Sequence, residues 1–134
     1  MNKRYPVYIV AILILVLTFG VMVKRAVSDV MVNNMRTEFC NALKAGDMNK
    51  LLGYVDTENP QAIRSGIARM TNEERENWAK IFESAKIVDQ NPTQRTYQTY
   101  GMFDGIAVSM EYSIRLHQDG QWRIDTGSSL TYLQ

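Results

Sequence analysis

The chain has 134 residues, of which 46% are hydrophobic and 22% charged, and its net charge is +1. That length holds one modest domain with an appendage, and so small a charge sets up no long-range field toward nucleic acid. One cysteine excludes an internal disulfide or a zinc site built on several thiolates, and one histidine excludes a metal site with two imidazoles.

No residue from Tyr5 to Val23 is charged. As a helix this stretch measures about 28 Å, close to the ~30 Å hydrocarbon core of a bilayer. Tyr5 and Tyr8 suit the interface at one end; Lys3 and Arg4 flank that end, and Lys24 and Arg25 flank the other. Residues 5–23 are therefore expected to meet the lipid bilayer, and residues 1–25 to form a cytoplasmic stub and transmembrane anchor. The free amino terminus adds a cation on the N side. This favours a single pass through the plasma (inner) membrane, N-inside, with residues 26–134 outside the cytoplasm. The competing reading is a signal peptide cleaved after Ser28, at Ala26-Val27-Ser28. The apolar run exceeds the ~7–15 residues of such peptides, and Lys24-Arg25 intervene, so an uncleaved anchor is favoured. Without Lys3, Arg4, Lys24 and Arg25, the 15 basic residues become 11 against 14 acids, a domain charge of −3.

Beyond the anchor the pattern stays helical. Val27, Met31, Met35, Phe39 and Leu43 recur every four residues, beside Val30 and Ala42, and Gly46 follows as a stop. An unbroken helix from the anchor would hold the domain close to the bilayer. Asp47 caps a short helix with Met48, Leu51, Leu52 and Val55. Pro60 opens another, with Ile63, Ile67 and Met70 on one side. Thr71 and Glu74 have capping-box spacing ahead of a helix presenting Trp78, Ile81, Phe82 and Ala85.

The period then changes to two. A short strand is expected over Lys86–Gln90, and Asn91-Pro92 marks a turn. From Ile106 to Leu116 apolar and polar residues alternate, the pattern of a half-buried strand. Asp104-Gly105 is a two-residue hairpin signal that pairs Phe103 with Ile106, Gly101 with Val108 and Tyr97 with Tyr112. Downstream, a three-residue loop Gln118-Asp119-Gly120 pairs Leu116 with Trp122 and Ile114 with Ile124. It is preferred to a two-residue turn, which would expose Trp122 at a cost of about 2–3 kcal/mol. The expected fold is α+β: a transmembrane helix, then helices packed on one side of a curved antiparallel sheet.

Phe39-Cys-Asn-Ala-Leu-Lys-Ala-Gly-Asp47 with Leu51 and Leu52 resembles the opening helix pair of the nuclear-transport-factor-2-like (cystatin-like cone) superfamily. Asp119-Gly-Gln-Trp-Arg-Ile-Asp125 resembles its last hairpin and strand. The resemblance covers residues 30–131 and implies a cone-like domain. The superfamily hosts isomerases, dehydratases, ligand binders and interaction modules, so it does not fix a function. Its members with one N-terminal membrane helix include scaffold subunits of type IV secretion systems and envelope proteins of lipid-import machines.

A cone would place Tyr97, Met110, Tyr112, Ile114 and Trp122 around its cavity. On this register no Asp, Glu or His of the sheet points inward; Glu111, Arg115, His117, Arg123 and Asp125 face the other way. General acid–base catalysis is poorly served, and no catalytic residue, cofactor site or metal site is assigned. An inward Asp56 or Glu58 would revive it. His117 reads as a solvent-exposed strand residue. Glu73, Glu74 and Glu76 complement a helix dipole. Cys40 reads as a buried inert thiol, with an intermolecular disulfide as its alternative. The outer sheet face carries Thr96, Gln98, Tyr100 and Met102 beside Ala107, Ser109 and Glu111. Tyr100, Met102 and Ala107, with Arg115 on the same face, form the candidate surface for a protein partner or a homodimer. The leading expectation is a non-catalytic interaction or assembly module of a bacterial-type envelope; the alternative is small-molecule or lipid binding in the cone.

Overall fold

The computed structural model describes residues 5–103 and 105–132, with backbone alone at Tyr5, Phe103 and 126–132. Lys3, Arg4, Asp104 and the Tyr5 side chain lie outside it. The chain forms two units, one up to Met31 and one from Val32.

The first helix, α1 (Tyr5–Ala45), contains the whole apolar run. From Val7 to Val23 its large side chains are exposed, and it is long and apolar enough to cross a membrane. It ends where Gly46 takes φ +69. Gly46 N–H donates to Leu43 O and Asp47 N–H to Ala42 O, a Schellman closure. The buried stripe of its C-terminal part is Val32, Met35, Phe39, Cys40, Ala42 and Leu43, whereas Val27, Val30 and Met31 are exposed. This corrects the expected four-residue stripe. A strict repeat of four drifts by about 40° per step on a helix of 3.6 residues per turn, so Val27 and Leu43 cannot share a face.

Asp47 accepts from Lys50 N–H and caps α2 (Met48–Gly53). Val55, expected on that helix, instead belongs to β1 (Val55–Asp56). Asn59 caps α3 (Pro60–Ala68), with Pro60 in its first turn; Met70 lies past its end. Thr71 and Glu74 make both halves of the capping box of α4 (Asn72–Ser84).

The sheet follows: β2 (Lys86–Asn91), β3 (Gln94–Phe103), β4 (Ile106–Leu116) and β5 (Trp122–Tyr132), in the order β1-β5-β4-β3-β2. β3 and β4 pair as expected, Tyr97 with Tyr112 and Phe103 with Ile106. So do β4 and β5, Leu116 with Trp122 and Ile114 with Ile124. Gly120, at φ +79, closes the three-residue loop by donating to His117 O. Two features depart from a regular antiparallel sheet. β1 runs parallel to β5, so the open sheet is mixed. Between Glu111 and Ser113 the partners on β5 jump from Ser129 to Asp125, two extra residues that bulge that strand.

The core lies on one sheet face. Phe39 of α1 meets Phe82 of α4 edge-on at 5.1 Å. Phe82 packs on Tyr112 at 4.9 Å, and Tyr112 stacks on Tyr97 at 5.3 Å. Alternation thus sends Tyr97, Met110, Tyr112, Ile114, Trp122 and Ile124 inward together.

Candidate functional site

The five residues expected around a cone cavity are all buried, and all belong to the core. Two arginines share the inner side of the sheet. Arg36 stands within the buried stripe of α1, four residues after Val32 and three before Phe39. Its Nε donates to Tyr112 Oη at 3.2 Å, and its Nη2 donates to Phe82 O at 3.0 Å and Ala85 O at 3.2 Å. Those carbonyls are at the C-terminal end of α4, where the helix dipole favours a cation. The guanidinium also lies 4.1 Å from the centre of the Tyr97 ring. Arg95, in phase with Tyr97 on β3, is 3% exposed. Its Nη1 donates to Asn91 O and to Gln94 O, and its guanidinium lies 5.2 Å from the Trp122 ring.

Tyr112 Oη donates in turn to Phe82 O at 3.1 Å. Burial pushes this phenol up to about 12, against the opposing pull of Arg36. Cys40 is buried, with its Sγ 3.8 Å from Ala79 O. Burial, and then the negative charge of Glu83, push its thiol up to about 11. Both groups lose protons more easily in the unfolded chain, near 9.0 and 10.0. The stability they contribute is therefore complete below pH ~9 and lost as pH rises toward 11 to 12. Melting temperatures are expected to fall over that interval, and less steeply for Tyr112→Phe. At pH 8 a maleimide is expected to leave native Cys40 unlabelled and to modify it after denaturation.

On β3, β4 and β5 the inner positions from Arg95 to Ile124 hold no acid or histidine among the described residues. Asp56 and Glu58 are exposed. Asp56 aligns with Asp125 on β5 and brings its Oδ2 to 3.5 Å from His117 Nε2. His117 is thus half-buried against a carboxylate rather than free in solvent. Sequence reading missed this pair because a two-residue strand has no periodicity. Glu74 closes the capping box by accepting from Thr71 N–H at 2.7 Å. Among the described residues no three His, Cys, Asp or Glu side chains gather as a metal site.

The outer face has two parts. Away from the β3–β4 turn it is polar: Gln94 Nε2 donates to Thr96 and Ser113, Thr96 and Ser113 hydroxyls meet at 3.2 Å, and Gln98 Nε2 donates to Ser109. Toward the β3–β4 turn, Tyr100 and Met102 are 67% and 66% exposed, and Ala107 pairs with Met102. Arg115 shares this face but is paired with Asp125 at 3.2 Å, and it opposes Gln94 at the other end of the strand. Tyr100 opposes Ser109, six residues from Arg115 and about 20 Å along the strand. The structure therefore brings Tyr100, Met102 and Ala107 together and leaves Arg115 apart from them.

These features define a class: an α+β domain with one covered and one open sheet face, on a chain that begins with a long exposed apolar helix. No protein-family model, curated protein or solved structure matches the chain.

Proposed function

We propose that this chain is a single-pass, N-inside membrane protein. Its α+β domain stands outside the cytoplasm and binds a protein partner within a bacterial-type cell envelope, without catalysing a reaction. The observation that carries this reading is the pair Tyr100 and Met102, two large apolar side chains standing free on the open sheet face. The exposed apolar surface of α1 supports the anchor. The resemblance to membrane-anchored cone-fold envelope proteins supports the setting. A ligand in the cone has less support, because Arg36 covers the Tyr97 ring and Arg95 lies over Trp122.

The test is a crosslinking pull-down of the full-length chain from membranes, compared with Tyr100→Lys/Met102→Glu. The double variant is expected to keep its melting temperature, since both side chains are exposed, and to lose the captured partner. An Arg115→Ala variant is expected to retain it. Equal capture by the wild type and the double variant would contradict this reading.

A further inference from the structure

β2 is the outermost strand on its side of the sheet, and all six of its residues are exposed. Among the described residues no strand pairs with its outer side, so this edge presents main-chain donors and acceptors to a further strand. Ile87 opposes Tyr97 and so lies on the covered face, yet it is exposed. The helices thus leave room beside β2.

One extra residue interrupts the edge. Lys86 opposes Gln98 and Ile87 opposes Tyr97, but the next residue of β3, Thr96, meets Asp89 rather than Val88. In a regular strand, residues three apart point to opposite faces. The bulge at Val88 removes that difference. Lys86 and Asp89 therefore share the outer face with Gln98 and Thr96.

Lys86-Ile-Val-Asp89 is also a charge palindrome. A second β2, related by a two-fold axis normal to the sheet between Ile87 and Val88, brings its Asp89 opposite Lys86 and its Lys86 opposite Asp89. Opposite charges directly across two strands attract. Like charges stand three residues apart along the strands, about 10 Å, where salt screens them. Without the bulge the opposed residues would point to opposite faces, and neither ion pair could form.

We propose that two copies of this chain pair antiparallel through β2, edge to edge, with Lys86 of each copy against Asp89 of the other. A bulge and an edge lysine ordinarily guard a strand against arbitrary partners. Here the same two features select one partner, a second β2. The two-fold arrangement uses both edges and closes as a dimer. Four residues a side bury far less than the ~800 Å² per partner of a typical complex, so the dimer is weak and is read by trapping.

The test uses the full-length Cys40→Ala/Val88→Cys chain in mild detergent under mild oxidation, since residue 88 lies beside the axis. Its disulfide dimer is expected to exceed several-fold that of a Cys40→Ala/Asn77→Cys chain, whose cysteine replaces an exposed residue of α4. Adding Lys86→Asp or Asp89→Lys sets like charges opposite each other and is expected to reduce the dimer several-fold. Adding both exchanges the signs, remakes the two ion pairs and is expected to restore it. Melting temperatures are expected to stay the same throughout, because all three side chains are exposed. A dimer no greater than that at residue 77 would overturn the pairing. So would a dimer insensitive to the single reversals, or a loss that the double exchange does not restore.

Discussion

Trp122→Ala is expected to lower stability by about 3–5 kcal/mol, the usual cost of truncating a buried tryptophan. Trp122 is 5% exposed. It opposes Leu116 where the three-residue loop sets the β4–β5 register, and its ring lies under the Arg95 guanidinium. The variant loses core area, a cation–π platform and the residue whose burial selects that loop over a two-residue turn. For a domain of about a hundred residues, this corresponds to a fall in melting temperature of about 15 °C or more. Thermal unfolding of the full-length chain in detergent, followed by near-ultraviolet circular dichroism, measures it. A fall of only a few degrees would show that Trp122 does not anchor the core.

Arg36→Met is expected to cost about 2–3 kcal/mol, or roughly 10–20 °C. Methionine keeps an apolar stem in the stripe of α1 but removes the donors to Tyr112 Oη, Phe82 O and Ala85 O. Ala85 O then loses a charged donor inside the protein, and leaving a buried acceptor unmatched costs more than a hydrogen bond is ordinarily worth. Because Arg36 is half-buried, the figure stays below that for breaking a fully buried ion pair. Lys44→Ala is the control. It breaks a 2.8 Å bridge to Glu83 between exposed side chains and is expected to change the same melt little. Equal, small shifts for the two variants would remove Arg36 from its role as the link between α1, α4 and the sheet.

The elements with local signals were legible in the sequence. Thr71 and Glu74 have capping-box spacing, and both halves of the box form. The β3–β4 register expected from the sequence is the one formed, Phe103 with Ile106 and Tyr97 with Tyr112, and the burial of Trp122 selects the downstream loop that is found. β1 was not legible, because two residues carry no periodicity and its parallel partner lies about 70 residues away. The extra residues of β5 opposite Glu111 to Ser113 likewise answer to tertiary packing. Arg36 carries a signal of a different kind: a charge inside an apolar stripe, at helical spacing from Val32 and Phe39. Arg95 carries one as well, because alternation from Tyr97 places it inward. On the outer face, alternation correctly put Tyr100, Met102, Ala107 and Arg115 on one side. A shared face does not make neighbours, and strand length alone separates Arg115 from the other three.

The proposed function requires α1 to hold the chain in a membrane. Carbonate extraction of membranes containing the untagged chain, with mass spectrometry of its N-terminus, tests that requirement. The expected result is a chain retained in the extracted membrane with Lys3 and Arg4 still attached. A shortened chain beginning at Asp29, released into the supernatant, would contradict it and identify the apolar run as a removed signal.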